Sequence, residues 1–321
     1  MSIEVLKPGA FSTFQDLGRW GTQLLGVPVS GPMDPISHRI ANRVLGNPAD
    51  EASLEITLLG PSLRFELDAV VAWCGADMSV TLEGIPIPRA TAAEVPAGAT
   101  LAFGRRISGL RTYLALRGGF LLDRVLGSCS THVRAGLGGY RGRPLRKGDQ
   151  LQFNSLTAIG HEGHEVLPRR AADSISVNEW LDAQPAREAP IRLMPGREWP
   201  QFSGDAHRAL FDTPWRIGAQ SERMGYRLEG LPLLRTTRND VLSEAVSFGA
   251  MQVPPDGHPI VLMADRQTTG GYPKIAQVAS VDLPRLAQRA PGESVLFELL
   301  TVEEAQRLLV QREEQLLWLD V

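Results

Sequence analysis

LEITLLG at 54–60, LRFEL at 63–67, AVVAWCGA at 69–76, SVTLEG at 79–84, TLAFG at 100–104, RTYLAL at 111–116 and QLQFN at 150–154 break residues 52–153 into short apolar runs. Between them lie Gly- and Pro-containing turns. Runs this short at this spacing predict the strands of a barrel or sandwich, because alternating β–α units would need helical segments between them.

The second half of the chain repeats landmarks of the first in the same order. Ser30 and Met33 of GVPVSGPM correspond to Ser221 and Met224 of GAQSERM, and Glu55 of SLEITLLG to Glu244 of LSEAVSFG. Ala76-Asp77 corresponds to Ala264-Asp265, and Gly98 to Gly292, with offsets that stay between 188 and 194. Ordered matches with so little drift predict a duplicated β-rich module. The expected organisation is a first module over 1–170, a linker over 171–190, and a second module over 191–321 that ends in a helix.

Only the second copy elaborates its Ala-Asp. PIVLMADRQTTGGYPKIAQV, residues 259–278, opens as a buried strand and then sets Asp265, Arg266, Gln267, Thr268 and Thr269 at its end. Gly270-Gly271 allows close backbone approach, and Tyr272, Pro273 and Lys274 close the loop. Polar groups bunched after a strand and hinged on glycine are how a rigid scaffold presents a binding site. A tight hairpin without a ligand is the competing reading.

A second candidate loop is GGFLLDRVLGSCSTHVRAGLGGYRG, residues 118–142, with Ser128, Ser130, Thr131 and Arg134 as its hydrogen-bonding groups. Arg223 and Gln252 add a cation and an amide near the second module's strands. Together with Asp265, Arg266 and Lys274, these groups suit binding and polarising a small amide, carboxylate or phosphorylated intermediate.

Several chemistries are excluded. The chain of 321 residues has a net charge of −3, which offers no electrostatic case for nucleic acid or anionic membrane. Cys74 and Cys129 make no disulfide framework. Its three lysines, Lys7, Lys147 and Lys274, lie outside any GxxxxGK[ST], and none follows a methionine, so neither a P-loop nor a typical biotin attachment site is present. The nucleophile elbow GxSxG and the dinucleotide fingerprint are missing too. His161 and His164 do not form HExxH, so no metal is expected. The N-terminus carries no signal-peptide pattern, and the expected location is cytoplasmic.

Three helices are predicted. The first starts at Asp34 and Pro35 and ends at Gly46; the Ser30-Gly31-Pro32 loop before it is a possible anion site, with plain capping by Asp34 favoured. VDLPRLAQ gives a second helix that Asp282 could cap. The third follows a Thr301–Glu304 capping box and should pack Ala305, Leu308, Leu309, Leu316 and Leu317 on the body.

The stretches QDLGRWG, VSGPMD, LEITLLGP, LGSCSTH, SERMGYRL and above all ADRQTTGGYPKI resemble the C-subunit family of bacterial ATP-dependent 5-oxoprolinase. The same family is labelled KipA-like, allophanate hydrolase subunit 2, or biotin-dependent carboxyltransferase-like. The resemblance runs from about Val5 to Glu298. It implies a mainly β chain of tandem cyclophilin-like β-barrels with a few short helices. It further implies a stable hetero-oligomer with a KipI-like B subunit, cooperation with an A subunit, and ATP-driven opening of 5-oxo-L-proline to L-glutamate. Asp265, Arg266 and Lys274 would then be catalytic. Gln252, Gln267, Thr268, Thr269, Gly270, Gly271, Tyr272, Arg223, Ser128, Ser130 and Arg134 would bind substrate. ATP would belong to the complex, and biotin would have to come from another chain. The alternatives are the carboxyltransferase part of a biotin-dependent urea carboxylase-like system and a KipA-like regulator of a kinase-inhibitor protein.

Overall fold

Ile3 and Val5, Leu63 and Phe65, and Leu54 and Ile56 are buried at every second position of their strands, so each strand turns one apolar face to a common core. The computed structural model describes residues 2–154, 175–237 and 241–320. It divides into two units, one comprising Met1–Trp20, Ser30–Gln184 and Trp318–Val321, the other Gly21–Val29 and Pro185–Leu317.

The first unit holds two antiparallel sheets. One runs in the order Gln150–Gln152, Ser2–Lys7, Ser62–Phe65, Thr100–Ala102, Thr81–Leu82, Ile85–Pro86. The other runs Phe11–Gln15, Ser53–Thr57, Ser108–Leu116, Ala69–Asp77, Ala93–Val95. Their facing sides pack Ile3, Val5, Leu63, Phe65 and Leu101 against Phe14, Leu54, Ile56, Trp73 and Leu114. The other side of the second sheet is also covered, by the helix Pro35–Val44, which explains why Ser53, Glu55 and Tyr113 are buried as well. Asp34 caps that helix as expected, accepting the N–H groups of Ile36 and Ser37 at 3.1 and 3.0 Å.

Polar groups on this covered face satisfy one another. Glu55 Oε2 accepts the Met33 N–H at 2.9 Å and the Tyr113 hydroxyl at 2.7 Å, and that hydroxyl accepts the Asp34 N–H at 2.8 Å. His38 is fully buried, its Nδ1 2.7 Å from Ser53 Oγ and its Nε2 3.2 Å from the Ala49 carbonyl.

In the second unit an eight-stranded sheet runs Ser294–Val295, Trp215–Ile217, Gly225–Glu229, Ile260–Leu262, Ala250–Gln252, Lys274–Val278, Ile191–Pro195, Phe297–Leu299. All its pairings are antiparallel except the last, Ile191–Pro195 with Phe297–Leu299. A separate two-stranded ribbon joins Glu244–Ala245 to Thr269–Gly270. The chain is mainly β with few helices, and its barrel-like sheets fit cyclophilin-like β-barrels. No helix among the described residues is long and apolar enough to cross a membrane.

Two local expectations need correction. Asp282 does not cap the helix Leu283–Ala287; its buried carboxylate instead takes the Arg192 N–H, Nε and Nη2 at 2.8, 2.8 and 2.7 Å. The bidentate charge-assisted pair outcompetes a single cap bond. In the helix Val302–Trp318 the Thr301–Glu304 box forms and Ala305 and Leu316 are buried, but Leu317 is 59% exposed. Leu317 adjoins Leu316 and so lies about 100° around the helix from it, off the buried face. His161 and His164, and residues 171–174 of the segment expected as a linker, lie outside the described residues, whereas Val177–Asp182 of that segment forms a short helix.

Candidate functional site

The strand Ile260–Leu262 ends in a pair of fixed charges. Asp265 accepts Arg223 Nε and Nη2 at 2.8 and 3.0 Å, and its N–H donates to the Arg223 carbonyl at 2.8 Å. The Met263 N–H adds a bond to the Met224 carbonyl at 3.0 Å, so the Arg223-Met224 turn is stitched to the strand end. Both partners of the ion pair are buried. The Asp265 carboxylate is therefore committed to Arg223.

Arg266 is also buried, yet no carboxylate stands within ion-pair distance of it among the described residues. Its guanidinium donates to the carbonyls of Val246 and Met263 at 3.3 and 3.4 Å and sits 5.8 Å from the Phe248 ring centre. Burial lowers its pKa to about 10, against the opposing pull of Asp265, so it stays cationic at neutral pH. A buried cation lacking a counter-charge is a ready partner for an anionic ligand.

Lys274 lies at the start of the next strand, directly opposite Gln252. Directly opposed residues on antiparallel strands share a face, so the ammonium stem and the Gln252 amide emerge together. Lys274 Nζ is hydrogen-bonded to Glu244 and lies 3.7 Å from Glu198 Oε2. Glu198 is buried, accepts the Lys274 N–H at 2.9 Å and donates its own N–H to the Lys274 carbonyl at 3.2 Å. Arg197 Nη1 holds Glu244 from the solvent side at 2.8 Å. The hydrogen bond from Lys274 is the main cause that keeps the Glu244 carboxyl below its usual range.

The ribbon brings these groups together. Glu244 pairs with Gly270 and Ala245 with Thr269, and the Val246 N–H reaches the Thr268 carbonyl at 3.2 Å. A Cβ on Gly270 would stand 2.6 Å from Gln252 Nε2 and 3.3 Å from Gln267 Nε2, so two carboxamides converge on this backbone position. The absence of a side chain there is what admits them. Gln252 also donates to the Tyr272 carbonyl at 3.4 Å, and the Tyr272 ring is half exposed at the rim. Thr268 and Gly271 are half-buried and Thr269 is exposed.

Of the expected site residues, Arg223, Gln252, Asp265, Arg266, Gln267, Thr268, Thr269, Gly270, Gly271, Tyr272 and Lys274 all belong to this one region of the second unit. Ser128, Ser130 and Arg134 belong to the first unit. There the Ser128 and Ser130 hydroxyls are fully buried and donate to Asp16 Oδ1 at 2.5 and 2.6 Å. Burial would raise the Asp16 carboxyl, but these bonds, with the N–H groups of Cys129 and Gly18, outweigh it and hold the pKa down. Arg19, also buried, donates to the carbonyls of Val125 and Ser130 at 2.8 and 2.9 Å and completes the knot. Arg134 sits on an exposed turn, Val133–Ala135.

Arg197 and Glu198 were not legible as site residues. The one signal is that Arg197-Glu198 follows the strand Ile191–Pro195 as Asp265-Arg266 follows the strand Ile260–Leu262, an adjacent arginine–acid pair shortly after a strand end. Gly196 is needed there because a Cβ would lie 2.3 Å from the Lys274 carbonyl.

Residues 25–299 match the family described as carboxyltransferase domain, subdomain A and B. Over 307 residues the chain is 37% identical to the C subunit of 5-oxoprolinase from Haemophilus influenzae, covering 95% of this chain and 94% of that protein. Over 319 residues it is 36% identical to the C subunit of 5-oxoprolinase from Escherichia coli, covering 98% of each. The urea amidolyase of Saccharomyces cerevisiae is 33% identical across 96% of this chain but only 17% of that protein. Among solved structures, TTHA0988 matches with a TM-score of 0.77 and 37% identity over 92% of this chain, which spans 55% of that one. The urea amidolyase of K. lactis matches with a TM-score of 0.85 and 31% identity over 98% of this chain and 19% of that one.

Proposed function

The chain belongs to the family of the carboxyltransferase domain, subdomain A and B, and from that premise we propose that it is the C subunit of an ATP-dependent 5-oxoprolinase. The observation that carries this reading is the match to two proteins named as C subunits of 5-oxoprolinase, along 94% and 98% of their own lengths. The urea amidolyase match involves a small part of a much longer protein and supports the alternative less well.

The reaction is hydrolysis of the lactam bond of 5-oxo-L-proline to L-glutamate, coupled to hydrolysis of ATP to ADP and phosphate. A lactam carbonyl is a poor electrophile, and phosphorylation of its oxygen would activate it towards water. In this reading Arg266 and Lys274 neutralise anionic oxygen of the substrate or its phosphorylated form. Gln252, Gln267, Thr268 and the backbone at Gly270-Gly271 hold the amide. Asp265 acts through Arg223 as an orienting group, and Thr269 and Tyr272 form the lip that meets the KipI-like B subunit. ATP is used by the assembly of the A, B and C subunits, in the cytoplasm, and this chain is inactive alone.

Co-purification with the B subunit, followed by ATP-dependent glutamate release from 5-oxoproline once the A subunit is added, tests the proposal. A preparation that binds the B subunit yet releases no glutamate under any combination of the three would overturn it. The carboxyltransferase reading draws on the TM-score of 0.85 to K. lactis urea amidolyase. It predicts instead that carboxybiotin supplied on a carrier chain is consumed in the presence of urea.

A further inference from the structure

Lys274 is held by two carboxylates that differ in every physical respect. Glu198 is 6% exposed in its side chain and is tied to the Lys274 main chain twice, its carboxylate accepting the Lys274 N–H and its own N–H donating to the Lys274 carbonyl, so its carboxylate leaves only by breaking a bond at the start of the strand. Glu244 is 33% exposed, sits on a ribbon only two residues long, and its second partner, Arg197, is 74% exposed. An ion pair on the solvent side contributes little and is readily exchanged.

We propose that Glu198 is the positioning residue that aims the Lys274 ammonium, and that Glu244 is an exchangeable counter-ion displaced when an anionic oxygen of the ligand arrives. The proposal rests on the reading of this region as the substrate site and adds how that site is kept closed when empty. With both acids in place, Lys274 and Arg197 are balanced, two charges against two. Once Glu244 rotates away, Lys274, Arg197 and Glu198 carry a net charge of +1, which suits a phosphoryl or carboxylate oxygen. Arg266 donates to the carbonyl of Val246, the residue that follows the ribbon strand Glu244–Ala245, so an anion bridging Arg266 and Lys274 would engage the cations that clasp both ends of this short segment.

The chain's three lysines make the test direct. Full-length protein carrying 13C at the lysine ε-carbon gives three signals, and Lys274→Arg identifies the one from Lys274. Inorganic phosphate is then titrated at ionic strength matched with chloride. The proposal predicts that phosphate shifts the Lys274 signal and that Glu244→Gln tightens phosphate binding by roughly threefold or more, since a competing negative charge is gone. Glu198→Ala also removes a negative charge, yet it should weaken binding because the ammonium loses its aim. Glu198→Gln, which keeps an acceptor for the Lys274 N–H, should recover part of the loss. Tightening by Glu198→Ala equal to that by Glu244→Gln would reduce Glu198 to a mere counter-charge and overturn the proposal. So would a Lys274 signal indifferent to phosphate, or binding unchanged in Glu244→Gln, a variant at a half-exposed position that tests the idea even if Glu198→Ala does not fold. These readouts need neither partner chains nor 5-oxoproline, so their failure is separate from failure of the 5-oxoprolinase reading.

Discussion

Arg223 grips both carboxylate oxygens of Asp265, Nε at 2.8 Å and Nη2 at 3.0 Å, across 42 residues of sequence, with both side chains buried. The pair fixes where the strand stops and the polar loop starts. Removing Asp265 takes the bidentate, charge-assisted carboxylate away from a buried guanidinium. Asp265→Ala should therefore destabilise the protein by about 3–5 kcal/mol, measured by urea unfolding. Replacing both, as Arg223→Met with Asp265→Leu, should cost clearly less than either single change.

His38 gives the fold an acid limit. Burial holds it at about 4, with Asp16 and Glu55 pulling weakly the other way, whereas an unfolded histidine titrates near 6.5. The native state thus resists a proton that the unfolded chain accepts. Stability from this site is complete above about pH 6.5 and declines as the pH falls towards 4, by about 3 kcal/mol in all. His38→Gln should flatten that part of the curve of unfolding midpoint against pH, even if it lowers the plateau.

Gly270 sets the distance between the two carboxamides. Gly270→Ala would push a methyl group to 2.6 Å from Gln252 Nε2, so the buried Gln252 amide must move. Because the site, not the core, absorbs that movement, thermal stability should change little. Glutamate release by the assembled complex should drop on the order of tenfold to a hundredfold. Equal activity of the alanine variant would remove Gln252 from the substrate contacts.

Much of the fold could be read in advance. The short apolar run LRFEL marked the strand that carries Leu63 and Phe65, and Asp34-Pro35 marked the start of the helix Pro35–Val44. Both are local signals carried by neighbouring residues. The ribbon partner of Thr269-Gly270 and the role of Glu198 were not legible, since Glu198 meets Lys274 across 76 residues and no periodicity announces it. Ser128 and Ser130 read as available hydroxyls because composition reports polarity but not partners. Asp16, over 110 residues earlier, is what occupies them. The grouping of residues 21–29 with the second unit had no sequence signal either.

In the proposed function the cationic, glycine-hinged lip of the second unit serves a 5-oxoprolinase. The most direct test of this reading is glutamate release from 5-oxo-L-proline and ATP by the A and B subunits mixed with this chain or with its Lys274→Ala, Arg266→Ala double variant. Release should depend on the wild-type chain and fall on the order of a hundredfold or more with a double variant that still co-purifies with the B subunit. Undiminished release by that variant would contradict it.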